Sequence, residues 1–249
     1  MTGMVKLIVR TPRLMGAFEA ADLCMLLEHT VLFLEVTDEG GELCNAYLRY
    51  GDESLFRDAS DVTRTSVWPH LRFLKALRKL NYTGEVRGLM PRAQAEVDYE
   101  LGLKVASLTL RFRVSGKIEA DEWFGVLGQL SRSVEVKETD YSIRDAIGGG
   151  SVLLVTTPMR YFTLLREGNM RFEEVRYAGF PVVYPPLVRM VRLYRKGRLT
   201  EDELRRAVHE HSKFYDLLMK SSDIDEAVER WTLKELGRWV ANRQQDLAR

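Results

Sequence analysis

Cysteine is nearly absent from this chain: Cys24 and Cys44 are the only two in 249 residues. That excludes a disulfide-stapled scaffold and a four-cysteine zinc site, and it predicts two buried, reduced thiols in a cytoplasmic protein. Long apolar runs are missing as well. None approaches the roughly eighteen residues of a membrane span, and Lys6 and Arg10 interrupt the first apolar stretch, so neither a span nor a secretory leader is expected. Charge of one sign is lacking too. The 37 basic and 36 acidic side chains leave a net +1, which excludes a polycationic arm or an acidic tail but allows a locally basic face. Asparagine and glutamine are scarce, four of each, while arginine outnumbers lysine 27 to 10. Thermolabile amides are depleted in proteins from hot habitats, and the composition leans that way. The remainder, 45% hydrophobic and 29% charged, can fill the core of one large domain or two small ones.

The first ninety residues set out an order of elements. Val5 to Arg10 alternates as a strand, Pro12 ends it, and Leu14, Phe18, Ala21, Leu23 and Leu26 recur at helical spacing. Val31 to Thr37 is β-branched and aromatic-rich, Glu39-Gly40-Gly41-Glu42 carries the glycines of a hairpin turn, and Leu43 to Tyr50 alternates again. Trp68, Leu71, Phe73, Leu74, Leu77 and Leu80 mark a second helix, and Glu85 to Met90 reads as a short strand. The order βαββαβ is that of a ferredoxin-like unit.

The same order recurs once. Lys104 to Val114 reads as a strand, Ile118 to Ser131 as a helix, Val134 to Lys137 and Ser151 to Thr156 as strands, Pro158 to Leu165 as a helix, and Phe172 to Tyr177 as the closing strand. Beyond Pro185 the pattern is helical, with Pro186 opening one helix, a Thr200/Glu203 capping box a second, and Ser222 with Asp225 a third. The expectation is an α+β chain of two consecutive ferredoxin-like units, 1–92 and 101–180, joined by the polar Pro91 to Glu100 stretch, with a helical extension over 185–249.

Strand alternation then places a candidate surface. In such a unit both helices cover one sheet face and leave the other open. Val5, Leu7 and Val9 would face inward, leaving Lys6, Ile8 and Arg10 outward with Phe33, Tyr47, Arg49 and Arg87. Rings on an open sheet stack unpaired bases and flanking cations neutralise phosphates. Ala46-Tyr47-Leu48-Arg49-Tyr50 also matches the tail of the aromatic motif of RNA-recognition modules, without its leading basic-glycine part. A second basic cluster, Arg189, Arg192 and Lys196, falls at i, i+3 and i+7 of the helix after Pro186 and could track a phosphate backbone.

These residues predict a non-catalytic protein that binds RNA or single-stranded nucleic acid through Lys6, Arg10, Phe33, Tyr47, Arg49, Arg87, Arg189, Arg192 and Lys196, with no metal and no cofactor. The competing expectation is an assembly subunit whose sheet face and terminal helices join copies or partner proteins. A third is a nuclease using His29 or His70. Tandem ferredoxin-like units are also the architecture of the CRISPR repeat-processing endoribonucleases, although this chain has plain helices where that family carries a C-terminal glycine-rich loop. Met170 to Val175 is similar to a short stretch near the end of chlorite-dismutase-like haem proteins, but no histidine stands between 71 and 208 to bind iron. Gly148 to Gly150 precedes a strand, the wrong context for a phosphate loop, and reads as a hairpin turn. His209 and His211, two apart on a helix, diverge as surface histidines and make no zinc pair.

Overall fold

The computed structural model describes residues 5–133, 150–156, 172–180 and 182–247, the side chains of 240–247 excepted. Among the described residues five strands make one sheet: β1 (Val5–Arg10), β2 (Val31–Leu34), β3 (Glu85–Gly88), β4 (Ser151–Val155) and β5 (Phe172–Ala178). Every pairing is parallel and the order is β3-β2-β4-β1-β5. This overturns the expectation of two ferredoxin-like units, which need antiparallel neighbours. β4, assigned to the second unit, lies between β1 and β2 of the first. The strands carry the mark of a parallel sheet, since Leu32, Phe33 and Leu34 and all of β4 are buried without polar alternation.

Two segments read as strands are helices. α1 (Leu14–Leu26) follows β1 as expected, but residues 38–50, read as a turn and a strand, form α2 (Asp38–Tyr50). Its start is fixed chemically: Thr37 Oγ1 accepts the Gly40 amide at 3.0 Å, and Asp38 and Glu39 complement the positive end of the helix. Gly51, at φ 72°, closes it in the left-handed conformation. Gly40, Gly41, Cys44 and Tyr47 form the buried stripe at helical spacing. The glycines therefore serve close approach and not a turn. A Cβ on Gly41 would lie 2.8 Å from the Gly88 amide nitrogen.

The second misread segment, Lys104 to Val114, lies inside α6 (Arg92–Ser115), where Leu101, Val105, Leu108 and Phe112 alternate four and three apart. The presumed linker from Pro91 to Glu100 is the first turns of that helix. Between α2 and β3 lie α3 (Leu55–Asp58), α4 (Asp61–Val67), a 3-10 turn (Trp68–His70) and α5 (Leu71–Lys79). α7 (Ala120–Ser133) matches the expected helix. The expected strand 134–137, the helix 158–165 and Gly148–Gly149 lie outside the described residues. Three helices close the chain, α8 (Pro186–Arg195), α9 (Glu201–Met219) and α10 (Ile224–Leu247). The Thr200/Glu203 capping box is fully formed.

Both sheet faces are buried. Ile8, Leu154 and Leu34 share a register row and pack with Ala17, Ala20, Cys24, Cys44, Tyr47, Phe73 and Leu77 of α1, α2 and α5. Leu7, Leu153 and Phe33 form the row on the opposite face, with Val5, Val9 and Val155. A second core joins α6, α7, α8 and α9 through Phe112, Trp123, Leu127, Met190 and Val208. A third joins α9 to α10 through Phe214, Val228 and Trp231. Among the described residues no helix is long and apolar enough to cross a membrane.

Candidate functional site at the carboxyl ends of the strands

In an open parallel sheet, ligands bind beyond the carboxyl ends of adjacent strands whose onward connections leave in opposite directions. Here those neighbours are β2, which leads outward to β3, and β4, which leads across β1 to β5. Glu35 and Thr156 follow them directly. The buried Glu35 carboxylate accepts the Thr156 amide at 2.7 Å and the Thr156 hydroxyl at 2.8 Å, tying the two strand ends together.

A cavity of about 200 Å³ lies against that link, lined by Glu35, Thr65, Ser66, Pro69, His70, Met90, Ala95, Asp98, Tyr99 and Thr156. Its walls follow from local structure. Ser60 caps α4 by accepting the Thr63 amide, which fixes Thr65 and Ser66 on that helix, and the 3-10 turn then delivers Pro69 and the buried His70. The first turns of α6 supply Ala95, Asp98 and Tyr99. Asp98 accepts from Gln94 Nε2 at 2.8 Å, and Tyr99 donates to Asp61 at 3.4 Å. Two carboxylates, a histidine and several hydroxyls thus meet a wall that is more apolar than polar, with Pro69, Met90 and Ala95 on it. Among the described residues no group of three His, Cys, Asp or Glu is placed to hold a metal ion.

The floor beside this cavity is charged. Arg10, fully buried at the end of β1, donates to the Pro69 carbonyl at 2.9 Å and pairs with Asp225 at the start of α10. Arg72 binds Asp223 through Nε at 2.8 Å, and Arg13 holds Glu229 through two bonds of 2.8 and 2.6 Å. Burial pushes the Asp225 carboxyl up to about 6, its like-charged neighbour Asp223 adds to the rise, and Arg10 and Arg72 oppose it. Burial likewise lowers the Arg10 guanidinium. Such a network fastens α10 across the end of β1, and desolvation sets its net worth.

The nucleic-acid platform is not assembled. Arg10, Phe33 and Tyr47 are interior, and the parallel register puts Phe33 on the face opposite Ile8, the two having been expected together. Tyr47 instead packs on Phe56, ring centroids 5.1 Å apart. Lys6 donates to the Glu28 carbonyl at 3.0 Å. Arg87 is exposed but held by both oxygens of Glu85 at 2.8 and 3.0 Å. On α8, Arg189 meets Glu210 at 3.3 Å and Arg192 lies over the Tyr184 ring, while Lys196 is exposed just past the helix end. Arg49 is exposed at the end of α2, far along the chain from that second cluster.

The candidate nuclease histidines are also separated. His29, at the amino end of β2, contacts Tyr82 Oη through Nε2 at 2.9 Å, whereas His70 lines the cavity beyond its carboxyl end. His211, read as a surface residue, is buried against Trp123. Cys24 and Cys44 are buried and free, and burial pushes the Cys44 thiol up to about 12.

Of the residues lining the switch-point cavity, His70 was singled out from sequence, as a nuclease candidate, and Glu35, Asp98 and Thr156 were not. One signal was present: Glu35 ends an all-apolar strand, where a parallel sheet exposes its carboxyl edge. No known protein family, curated protein or solved structure matches the chain, so the functional reading rests on this geometry.

Proposed function

We propose that the chain binds a small molecule rich in hydrogen-bond donors, a short polyol or amine, in the cavity between the ends of β2 and β4. The observation that carries this reading is the position of that cavity beyond the ends of β2 and β4, the neighbours among the described strands that lead their chains apart, with the buried Glu35 on its wall. Concave sites with a few converging polar groups are the usual form of small-molecule sites. The lining decides the ligand's character, since Glu35 and Asp98 bring acceptors and Thr65, Ser66, Tyr99 and Thr156 bring hydroxyls. Size is limited as well. About 200 Å³ is below the roughly 300–1,000 Å³ of pockets for drug-sized ligands.

Thermal unfolding in the presence of small polyols and amines tests the reading. A ligand at a hundred times its dissociation constant adds about 2.7 kcal/mol of stability, and Asp98→Asn and His70→Asn should each remove that gain. If no compound of either class raises the melting temperature, or if both variants respond as the parent does, the assignment fails.

A further inference from the structure

A second hollow, independent of the switch-point cavity, lies at the opposite end of the sheet. It has a volume of about 510 Å³ and is lined by Asn45, Leu48 and Arg49 of α2, Arg78 of α5, and the segment Asn81 to Gly84 that leads into β3. Its polar groups divide into two sets. The Asn45 amide is spent on the backbone of Val86, donating to its carbonyl at 2.7 Å and accepting its amide at 2.9 Å, and Tyr82 Oη is engaged by His29. By contrast, among the described residues Arg49 and Arg78 pair with no carboxylate, and the side chains of Asn81 and Thr83 make no hydrogen bond.

The acids that could neutralise the hollow are committed elsewhere. Glu85, next along the chain, is held by Arg87, Glu53 is held by Lys75, and Asp52 accepts the Ser54 amide. Arg78 is seated by the fold. A Cβ on Gly51 would fall 2.1 Å from its guanidinium carbon, so the left-handed glycine that ends α2 is also the surface on which Arg78 rests. Arg49 and Arg78 both belong to the last turns of their helices. Complementing a helix dipole accounts for that placement at the chain level, but it does not account for a hollow with an amide and a hydroxyl left over beside two guanidinium groups.

We infer that this hollow is a binding site for the phosphate group of a small phosphorylated molecule, with Arg49 and Arg78 as the charged clamp and Asn81 and Thr83 as neutral donors. Guanidinium groups match phosphate oxygens with paired N–H donors, and the charge-assisted bonds are the strong ones. The volume admits more than the phosphate alone, since it falls within the roughly 300–1,000 Å³ of small-molecule pockets.

The test is titration calorimetry of the full chain with inorganic pyrophosphate, then with a nucleoside monophosphate, and in a separate arm with a single-stranded oligonucleotide. The proteins are the parent, Arg49→Gln, Arg78→Gln and the double variant, with circular dichroism to verify folding. Pyrophosphate is expected to bind, and each single variant to weaken it about tenfold, the factor that corresponds to about 1.4 kcal/mol. The inference is overturned if pyrophosphate gives no heat at low salt, if the double variant binds within twofold of the parent, or if only the oligonucleotide binds. The switch-point residues take no part here, so the result is separable from the polyol and amine experiment.

Discussion

Replacing His211 by phenylalanine should make the protein more stable, and more so as the solution becomes acidic. The imidazole is buried in α9 with its ring edge-on to Trp123, centroids 6.1 Å apart, and neither ring nitrogen has a hydrogen-bond partner among the described residues. Burial lowers it from its ordinary 6.5 to about 4. The folded chain therefore holds a neutral imidazole where the unfolded chain takes up a proton. For a histidine depressed in this way, the stability is intact above about pH 6.5 and is lost as pH falls toward about 4. With those two values, the loss at pH 4.5 comes to about 2.5 kcal/mol.

Phenylalanine keeps the ring-to-ring contact and removes two polar atoms whose unsatisfied burial costs about 1–3 kcal/mol. Asp225 complicates the parent's own curve, because burial raises it to about 6. A raised carboxyl contributes most at low pH and loses that contribution as pH rises through about 6, so its slope opposes that of His211. The difference between variant and parent cancels Asp225 and isolates the histidine. Urea unfolding at pH 7.5, 6.0 and 4.5 should show that difference growing by about 2.5 kcal/mol. A difference constant within about 0.5 kcal/mol across the range would sink the reasoning.

Two further predictions concern stability. Arg10→Ala or Asp225→Ala strands an uncompensated buried charge, given the fully buried pair, and should cost about 3–5 kcal/mol in urea unfolding. Arg10→Met with Asp225→Leu should recover most of that loss, and a double variant as weak as either single one would refute the account. Gly41→Ala should destabilise by about 1–3 kcal/mol despite alanine's helix preference, because the new Cβ meets the Gly88 backbone at 2.8 Å. Gly102→Ala on α6, with nothing within 4 Å of its Cβ, should stabilise by up to about 1 kcal/mol. Equal melting temperatures for the two variants would contradict the close-approach argument.

Much of the element order was legible because periodicity and capping are local. β1, α1, β2, α5, β3, α7, β4, β5 and the three terminal helices fall close to where the pattern puts them. The Thr200/Glu203 box needs no tertiary information, since both partners lie in one turn. Failure came where two periods compete over a short window. Cys44, Ala46, Leu48 and Tyr50 alternate, but Gly40, Gly41, Cys44 and Tyr47 also recur at helical spacing, and Thr37-Asp38-Glu39 is a start signal for the latter. Packing settles that competition, because only a helix brings Gly41 against the β3 backbone.

The sequence by itself determined the class of most segments, the helices over 38–50 and 92–115 excepted, the reduced state expected of two isolated cysteines, and the lack of a membrane-length apolar run. Only the tertiary structure decided strand order and direction, because pairing partners distant in the chain leave no local mark. Residues 5 and 151 are neighbours in the sheet although 146 positions separate them. The insertion of β4 between β1 and β2 made the sheet parallel and buried it on both faces, Phe33 included, and its pairing with β2 brought Glu35 and Thr156 within hydrogen-bond reach, while Tyr47 went into the core on α2. Charge followed the same rule. The net +1 fixed nothing about place, whereas the folding of two helix ends onto one loop gathered Arg49 and Arg78 beside a single hollow.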